Sequence, residues 1–161
     1  FVVMVGFFVK GLDGKHDNQP AHQIGQAMPD FELPSLQDGQ VSQEDLKGQV
    51  TVLHVWATWC PTCLDAHAKM FEFAKDSPAV LVSLLYKDLA QNAKDWYQAK
   101  GDPYQKTIVD TNGKLGIDLG IYGTPEYFIL DKKGHIQFRY VGEITDAIWR
   151  ETLLPKIYAL S

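Results

Sequence analysis

The 161-residue chain holds two cysteines, Cys60 and Cys63, and their position constrains the fold more than any other feature. Val52-Leu53-His54-Val55-Trp56-Ala57 reads as a strand, Thr58-Trp59 as a turn, and Pro61 onward as an amphipathic helix. A cysteine at such a junction has a defined electrostatic setting. The first N–H groups of a helix lack carbonyl partners and the positive end of the helix dipole lies there, so both favour a thiolate. Pro61 suits the first helical position, where its missing N–H is not needed. Cys63 falls one turn on, close enough to close a disulfide with Cys60 and expected to be the more buried of the two. Disulfide exchange needs a thiolate and a second thiol within reach. Cys60 is therefore assigned the attack on a partner disulfide, and Cys63 the resolution of the mixed disulfide.

Other uses of the pair fit less well. A bridge across two residues gains little loop-closure stability. Tetrahedral zinc needs more ligands, and His67 is the lone candidate nearby, so no metal is expected. Covalent haem attachment requires a histidine directly after the second cysteine, where Leu64 stands. A pair with this spacing at a strand-to-helix junction is a thioredoxin-like redox signal, which needs no cofactor beyond the Cys60–Cys63 disulfide.

The remaining segments give the same architecture. Gln49 to Ala57 and Ala79 to Tyr86 are apolar, strand-like runs, separated by a helix from Pro61 to Lys75, which makes a parallel βαβ unit. Met70, Phe73 and Ala74 share the buried side of that helix with Cys63. A helix over Leu89 to Lys100 and a short strand at Thr107-Ile108-Val109 follow, then one helical turn near Gly116. Tyr127 to Leu130 and Ile136 to Val141 form a hairpin about Asp131-Lys132-Lys133-Gly134, and Thr145 to Leu160 is a closing helix. Ahead of these, Phe31-Glu32-Leu33 and Val41 flank a Gln37-Asp38-Gly39-Gln40 turn, and Ser42 caps a helix start. The expected fold is α/β: a thioredoxin-like three-layer α/β/α arrangement with a mixed central sheet and an N-terminal β-hairpin extension.

Charge and the N-terminal region address location. The net charge is −5 without a basic cluster, so no nucleic-acid partner is expected. Phe1 to Val9 is apolar and has no initiator Met, and it falls short of the roughly 20 residues of a spanning helix. It reads as the end of a truncated N-terminal membrane anchor. Residues 10–26 are polar and read as a tether, leaving 27–161 as the domain.

Gly123-Thr124-Pro125-Glu126 is the second motif. Proline cannot sit inside a central strand, so Pro125 marks a strand start, and the residues alone leave its peptide bond cis or trans. Together, Trp56-Ala57-Thr58-Trp59-Cys60-Pro61-Thr62-Cys63, Tyr86-Lys87-Asp88 and Gly116 to Glu126 resemble the DsbE/CcmG-type thiol:disulfide interchange proteins of cytochrome c biogenesis, over about Ile24 to the C-terminus. The resemblance implies a cis Pro125 packed against the cysteines, with Trp59, Pro61, Thr62, Thr124 and Glu126 as active-site neighbours. It implies a monomeric periplasmic reductant, held at the inner membrane by a single-pass anchor. Its partners would be apocytochrome c and haem-ligation proteins, with a transmembrane thiol:disulfide protein as electron donor.

Several positions have two readings. Glu126 is either a site carboxylate or a solvated strand-end charge. The family's glutamate three positions after the second cysteine is Ala66 here. Asp65 lies about 200° around the helix from Cys63 and cannot substitute. His67 reads as a half-exposed packing residue, His54 as a satisfied core histidine, Trp56 as core, and Trp59 as a shield over the thiols. Tyr86-Lys87-Asp88 is either part of a groove or a surface ion pair. Rival functions are a general extracytoplasmic ResA/TlpA-like thioredoxin, a thiol peroxidase and a non-catalytic binding module.

Overall fold

The computed structural model describes residues 23–161. The expected anchor end at 1–9, and the tether as far as residue 22, lie outside the described residues. Among those described, no helix is long and apolar enough to cross a membrane.

Strands β1 (Glu32–Pro34) and β2 (Gln40–Ser42) form a small antiparallel hairpin. A 3₁₀ turn follows at Gln43–Leu46, where Asp45 Oδ2 accepts the backbone N–H of Ser42 at 2.8 Å. The main sheet has five strands: β3 (Thr51–Trp56), β4 (Val80–Tyr86), β5 (Lys106–Asp110), β6 (Glu126–Leu130) and β7 (Ile136–Val141), in the order β5-β4-β3-β6-β7. β3 lies at the centre, parallel to β4 and antiparallel to β6. All six of its residues are buried, because helices or loops cover both faces. That explains a continuous apolar run instead of an alternating one.

Two successive parallel crossovers run in the same direction across the sheet, through α1 (Pro61–Asp76) and α2 (Ala90–Lys100). Right-handed crossovers then place both helices on one face. Met70 and Phe73 of α1 and Ala93 and Tyr97 of α2 accordingly share one core with Val52, Trp56, Cys60 and Cys63. The closing helix α4 completes that layer in three stretches: Asp146–Ile148, a π stretch at Trp149–Leu153, and Leu154–Leu160. Pro155 has no N–H for the carbonyl of Glu151, so the regular ladder cannot pass and a π bulge absorbs the break. Trp149, in the bulge, stacks on Phe73 of α1 with ring centroids 4.2 Å apart.

The opposite layer is thinner. The short helix α3 (Lys114–Asp118), the N-terminal hairpin and the 3₁₀ turn cover Leu53, Val55, Val82, Leu84, Ile108 and Phe128. Gly116 lets α3 approach, since a Cβ there would stand 2.3 Å from the Tyr86 ring. The fold is the expected thioredoxin-like one, with boundaries within a residue or two of the sequence reading.

His54 is buried in the layer above β3, as expected, but only one of its nitrogens is satisfied. Nδ1 pairs with Tyr104 Oη at 2.7 Å and the ring stacks on Tyr127 at 4.5 Å, while Nε2 has no partner among the described residues. Burial holds its pKa down from 6.5 to about 3. As pH falls below about 6.5 the unfolded chain gains a proton at this position that the native state refuses, so stability is lost until the pH reaches the folded value. Urea unfolding is expected to show that His54→Phe removes about 2–3 kcal/mol of the stability loss between pH 7 and 4.5. An unchanged pH slope in the variant would contradict this.

Candidate active site

β3 ends at Trp56, and the chain turns through Ala57, Thr58 and Trp59 into α1. Cys60 is the N-cap of α1 and Pro61 its first residue. The Cys60 Sγ accepts the backbone N–H of Cys63 at 3.2 Å, while the Cys60 carbonyl accepts the N–H groups of Cys63 and Leu64 at 3.1 and 3.2 Å. The two sulfurs form a disulfide with their Cα atoms 5.3 Å apart. Both cysteines are buried, Cys63 at 2% exposure and Cys60 at 5%. An N–H directed at a reduced sulfur in this position favours the thiolate.

Trp59 is 54% exposed beside the disulfide, and its indole N–H donates to the Lys87 carbonyl at 3.1 Å. Pro61 is exposed and Thr62 half-buried. Together these residues form the open rim of the site, while Trp56 lies in the core. The Thr124–Pro125 bond is cis. The β3–β6 register pairs Val55 with Glu126, and one step further places Pro125 beside Trp56, at the end of β3 that leads to Cys60. The site thus forms at the C-terminal ends of the parallel strands, the usual place for a site in such a sheet.

Glu126 is not the solvated strand-end charge. It is fully buried rather than solvated, and its side chain lies on the far face of the sheet from the cysteines. β6 alternates, with Tyr127 and Ile129 in the core that contains Cys60 and Cys63, and Phe128 and Leu130 in the other. Glu126 points with Phe128. There its Oε2 accepts Arg139 Nε at 2.8 Å and Nη2 at 2.6 Å. Arg139 also donates to the Gly120 carbonyl at 2.9 Å and lies 5.6 Å from the exposed Tyr122 ring. Burial pushes the Glu126 carboxyl above its usual pKa, and the guanidinium pulls it back only part of the way. The pair braces the Gly120–Thr124 loop from beneath. Sequence reasoning passed over Arg139, because counting from the turn pairs 139 with Tyr127; the register shift between Ile129 and Leu130 instead sets Arg139 opposite Phe128, on the face of Glu126.

Two further expectations are revised, for His67 and for Asp88. His67 is buried, not half-exposed. Its Nε2 donates to the Gly101 carbonyl at 2.9 Å, its ring contacts Trp96 and Tyr97, and burial lowers its pKa. Asp65 is exposed and Ala66 buried, as the helical spacing required. Asp88 forms no surface ion pair with Lys87. It is 6% exposed, and its carboxylate accepts the Thr58 N–H at 2.7 Å and the Thr58 hydroxyl at 2.6 Å. It also accepts the Leu89 N–H and the Asn92 amide, each at 2.7 Å. Burial pushes this carboxyl up, but the hydrogen bonds outweigh it and hold the pKa below the ordinary value.

With this geometry, the comparisons with known proteins agree. Residues 23–152 match the Redoxin family. The thiol:disulfide interchange protein DsbE of Pseudomonas aeruginosa is 37% identical over 96% of this chain and 87% of its own length. DsbE of Vibrio cholerae is 41% identical over 82% of this chain and 72% of its own. The Escherichia coli K12 protein of that name is 40% identical with the same two coverages. The chain belongs to the redoxin family, among the DsbE-type thiol:disulfide interchange proteins. It is a thiol:disulfide oxidoreductase with a Cys-x-x-Cys redox site. Solved structures give the same fold. The exposed lipoprotein thioredoxin Etrx1 of Streptococcus pneumoniae superposes with a TM-score of 0.65 at 26% identity, over 82% of this chain and 100% of that one. A secreted thiol-disulfide isomerase of Corynebacterium glutamicum superposes with a TM-score of 0.70 at 21% identity, over 81% and 85%.

In this DsbE-type domain the Glu126–Arg139 pair lies at the base of the loop before Pro125. Removing one partner of a buried pair strands a charge, at a cost of about 3–5 kcal/mol. Glu126→Ala is therefore expected to lower the unfolding free energy by about that amount in urea titration at neutral pH. A loss under about 1 kcal/mol would show that the pair does not brace the loop.

Proposed function

We propose that this domain is an extracytoplasmic reductant of cytochrome c maturation, tethered to the inner membrane by the segment ahead of residue 27. Cys60 acts as the attacking thiol. Its thiolate attacks one sulfur of a client disulfide, the client S–S bond breaks, and the other client sulfur leaves as a thiolate. The Cys63 thiolate then attacks Cys60 Sγ in the mixed disulfide and releases the second client sulfur. The client gains two electrons and the Cys60–Cys63 disulfide forms, to be reduced again by a transmembrane thiol:disulfide protein.

The observation that carries the assignment of roles is the position of Cys60 at the N-cap of α1, its Sγ already accepting an N–H. A sulfur in that position is stabilised as an anion and leads the chemistry. The client, apocytochrome c or a haem-ligation partner, follows from the resemblance to DsbE-type proteins in the residues around Cys60 and before Pro125. Trp59, exposed beside the disulfide, offers an apolar rim to an unfolded client segment. Glu126 and Arg139 serve the site by holding the loop, without touching the thiols.

The test compares reduction of a disulfide-bridged Cys-x-x-Cys-His apocytochrome peptide with reduction of insulin. The peptide is expected to react at least tenfold faster, and Cys63→Ser is expected to accumulate a mixed disulfide through Cys60. Equal, fast reduction of both substrates would instead assign a general disulfide reductase.

A further inference from the structure

We infer that Asp88 is a positioning residue of disulfide exchange: its buried carboxylate pins the turn that delivers Cys60, and its fixed negative charge weighs against the Cys60 thiolate. The inference rests on Cys60 as the attacking thiol.

The two carboxylate oxygens divide their work. Oδ2 receives both donors of Thr58, its N–H and its hydroxyl. Oδ1 receives the Leu89 N–H and the Asn92 amide at the start of α2. One side chain therefore ties the β3–α1 turn to the β4–α2 junction. The neighbouring residue adds a second tie, since the Lys87 carbonyl accepts the Trp59 indole N–H. Lys87 has φ 49°, a left-handed turn that brings its carbonyl and the Asp88 side chain to bear on the same segment. Residues 58 and 59, fixed from one side in this way, leave Cys60 little freedom to swing away from the helix axis.

The charge has its own effect. Asp88 is bound by N–H and O–H groups, and among the described residues no cation forms an ion pair with it. One residue separates Thr58 from Cys60, so the reach of the chain keeps the carboxylate within on the order of 10 Å of Cys60. The other charged and titratable groups around the site are engaged elsewhere, including Asp110 at the end of β5, whose carboxylate accepts the Leu115 and Gly116 N–H groups at 3.4 and 2.8 Å. Asp65 is exposed on the far side of α1. His67 donates to Gly101, and burial disfavours the charged forms of both His54 and His67. The Lys87 ammonium lies 5.2 Å from the centre of the Tyr86 ring. Glu126 and Arg139 are paired on the other face of the sheet. Asp88 thus opposes the stabilisation of the thiolate by the helix N-terminus. A less stable reduced form gives up its electrons more readily, so the charge makes the dithiol a stronger reductant.

The test uses Asp88→Asn, Thr58→Val and Cys60→Ser, with folding checked by thermal melts. Readouts are the pH profile of Cys60 alkylation, equilibrium with glutathione, and the rate of exchange with a disulfide peptide. Asp88→Asn is expected to move the alkylation profile about half to one pH unit lower, and to shift the glutathione equilibrium about 3- to 10-fold toward the dithiol. Thr58→Val keeps the charge and removes one tie; it is expected to leave the alkylation profile in place and slow exchange several-fold. A folded Asp88→Asn protein with an unmoved profile would overturn the electrostatic part, and unchanged exchange in Thr58→Val the positioning part. Should Asp88→Asn fail to fold, the same profile is read in reduced wild type at low and high salt against Thr58→Val. Failure of the underlying reading has a separate signature, namely exchange that survives Cys60→Ser.

Discussion

The hydrogen bond from the Cys63 N–H to Cys60 Sγ is the point on which the structure turns. It exists because a helix begins at Cys60, and the helix begins there because β3 stops at Trp56 and Pro61 takes the first helical position. A helix N-terminus offers unpaired N–H groups only over its first turn. A shift of the start by even two residues would remove the sulfur from them. The surrounding architecture keeps that start in place. β3 is locked between β4 and β6, Asp88 and the Lys87 carbonyl hold the turn from one side, and Pro125 stands beside Trp56 on the other.

The two layers over the sheet differ in kind. The layer holding α1, α2 and α4 is rich in aromatic rings and contains two histidines kept neutral by burial, so it surrounds the disulfide with an uncharged, low-dielectric environment. The other layer contains the Glu126–Arg139 pair beneath the loop that precedes Pro125. Placing the buried ion pair on the far face keeps its charges from biasing the thiols directly, while its hydrogen bond to the Gly120 carbonyl still reaches the loop. Low dielectric near the sulfurs also strengthens the influence of any charge that remains on their side, which is why a single carboxylate such as Asp88 has weight there.

Much of the fold was legible in the sequence. The apolar runs of β3 and β4 and the hairpin about Asp131–Gly134 are strong local signals, and each element appeared within a residue or two of its expected place. The π bulge at Trp149–Leu153 was not read, although Pro155 marked the break, because a proline in a helix can kink, end or bulge it, and packing against Phe73 decides which. The placements of His67 and Asp88 were misjudged for a common reason. Composition implies exposure for both polar side chains, yet each finds partners 30 or more residues away: Gly101 for His67 and Thr58 for Asp88.

The sequence by itself determined the chemistry: two cysteines alone, spaced by two residues, with a proline at the first helical position after a buried strand, have one efficient use, and local geometry suffices to assign their order. Only the tertiary structure decided what controls them. It placed Glu126, next in sequence to Pro125, on the opposite face with Arg139, and it brought Asp88 to the turn from another strand. The period of two along a strand separates chain neighbours onto opposite faces, and parallel pairing joins residues far apart in sequence. Which charges a thiol feels is therefore a property of the assembled sheet, while the thiol's position at a helix start is a property of its own dozen residues.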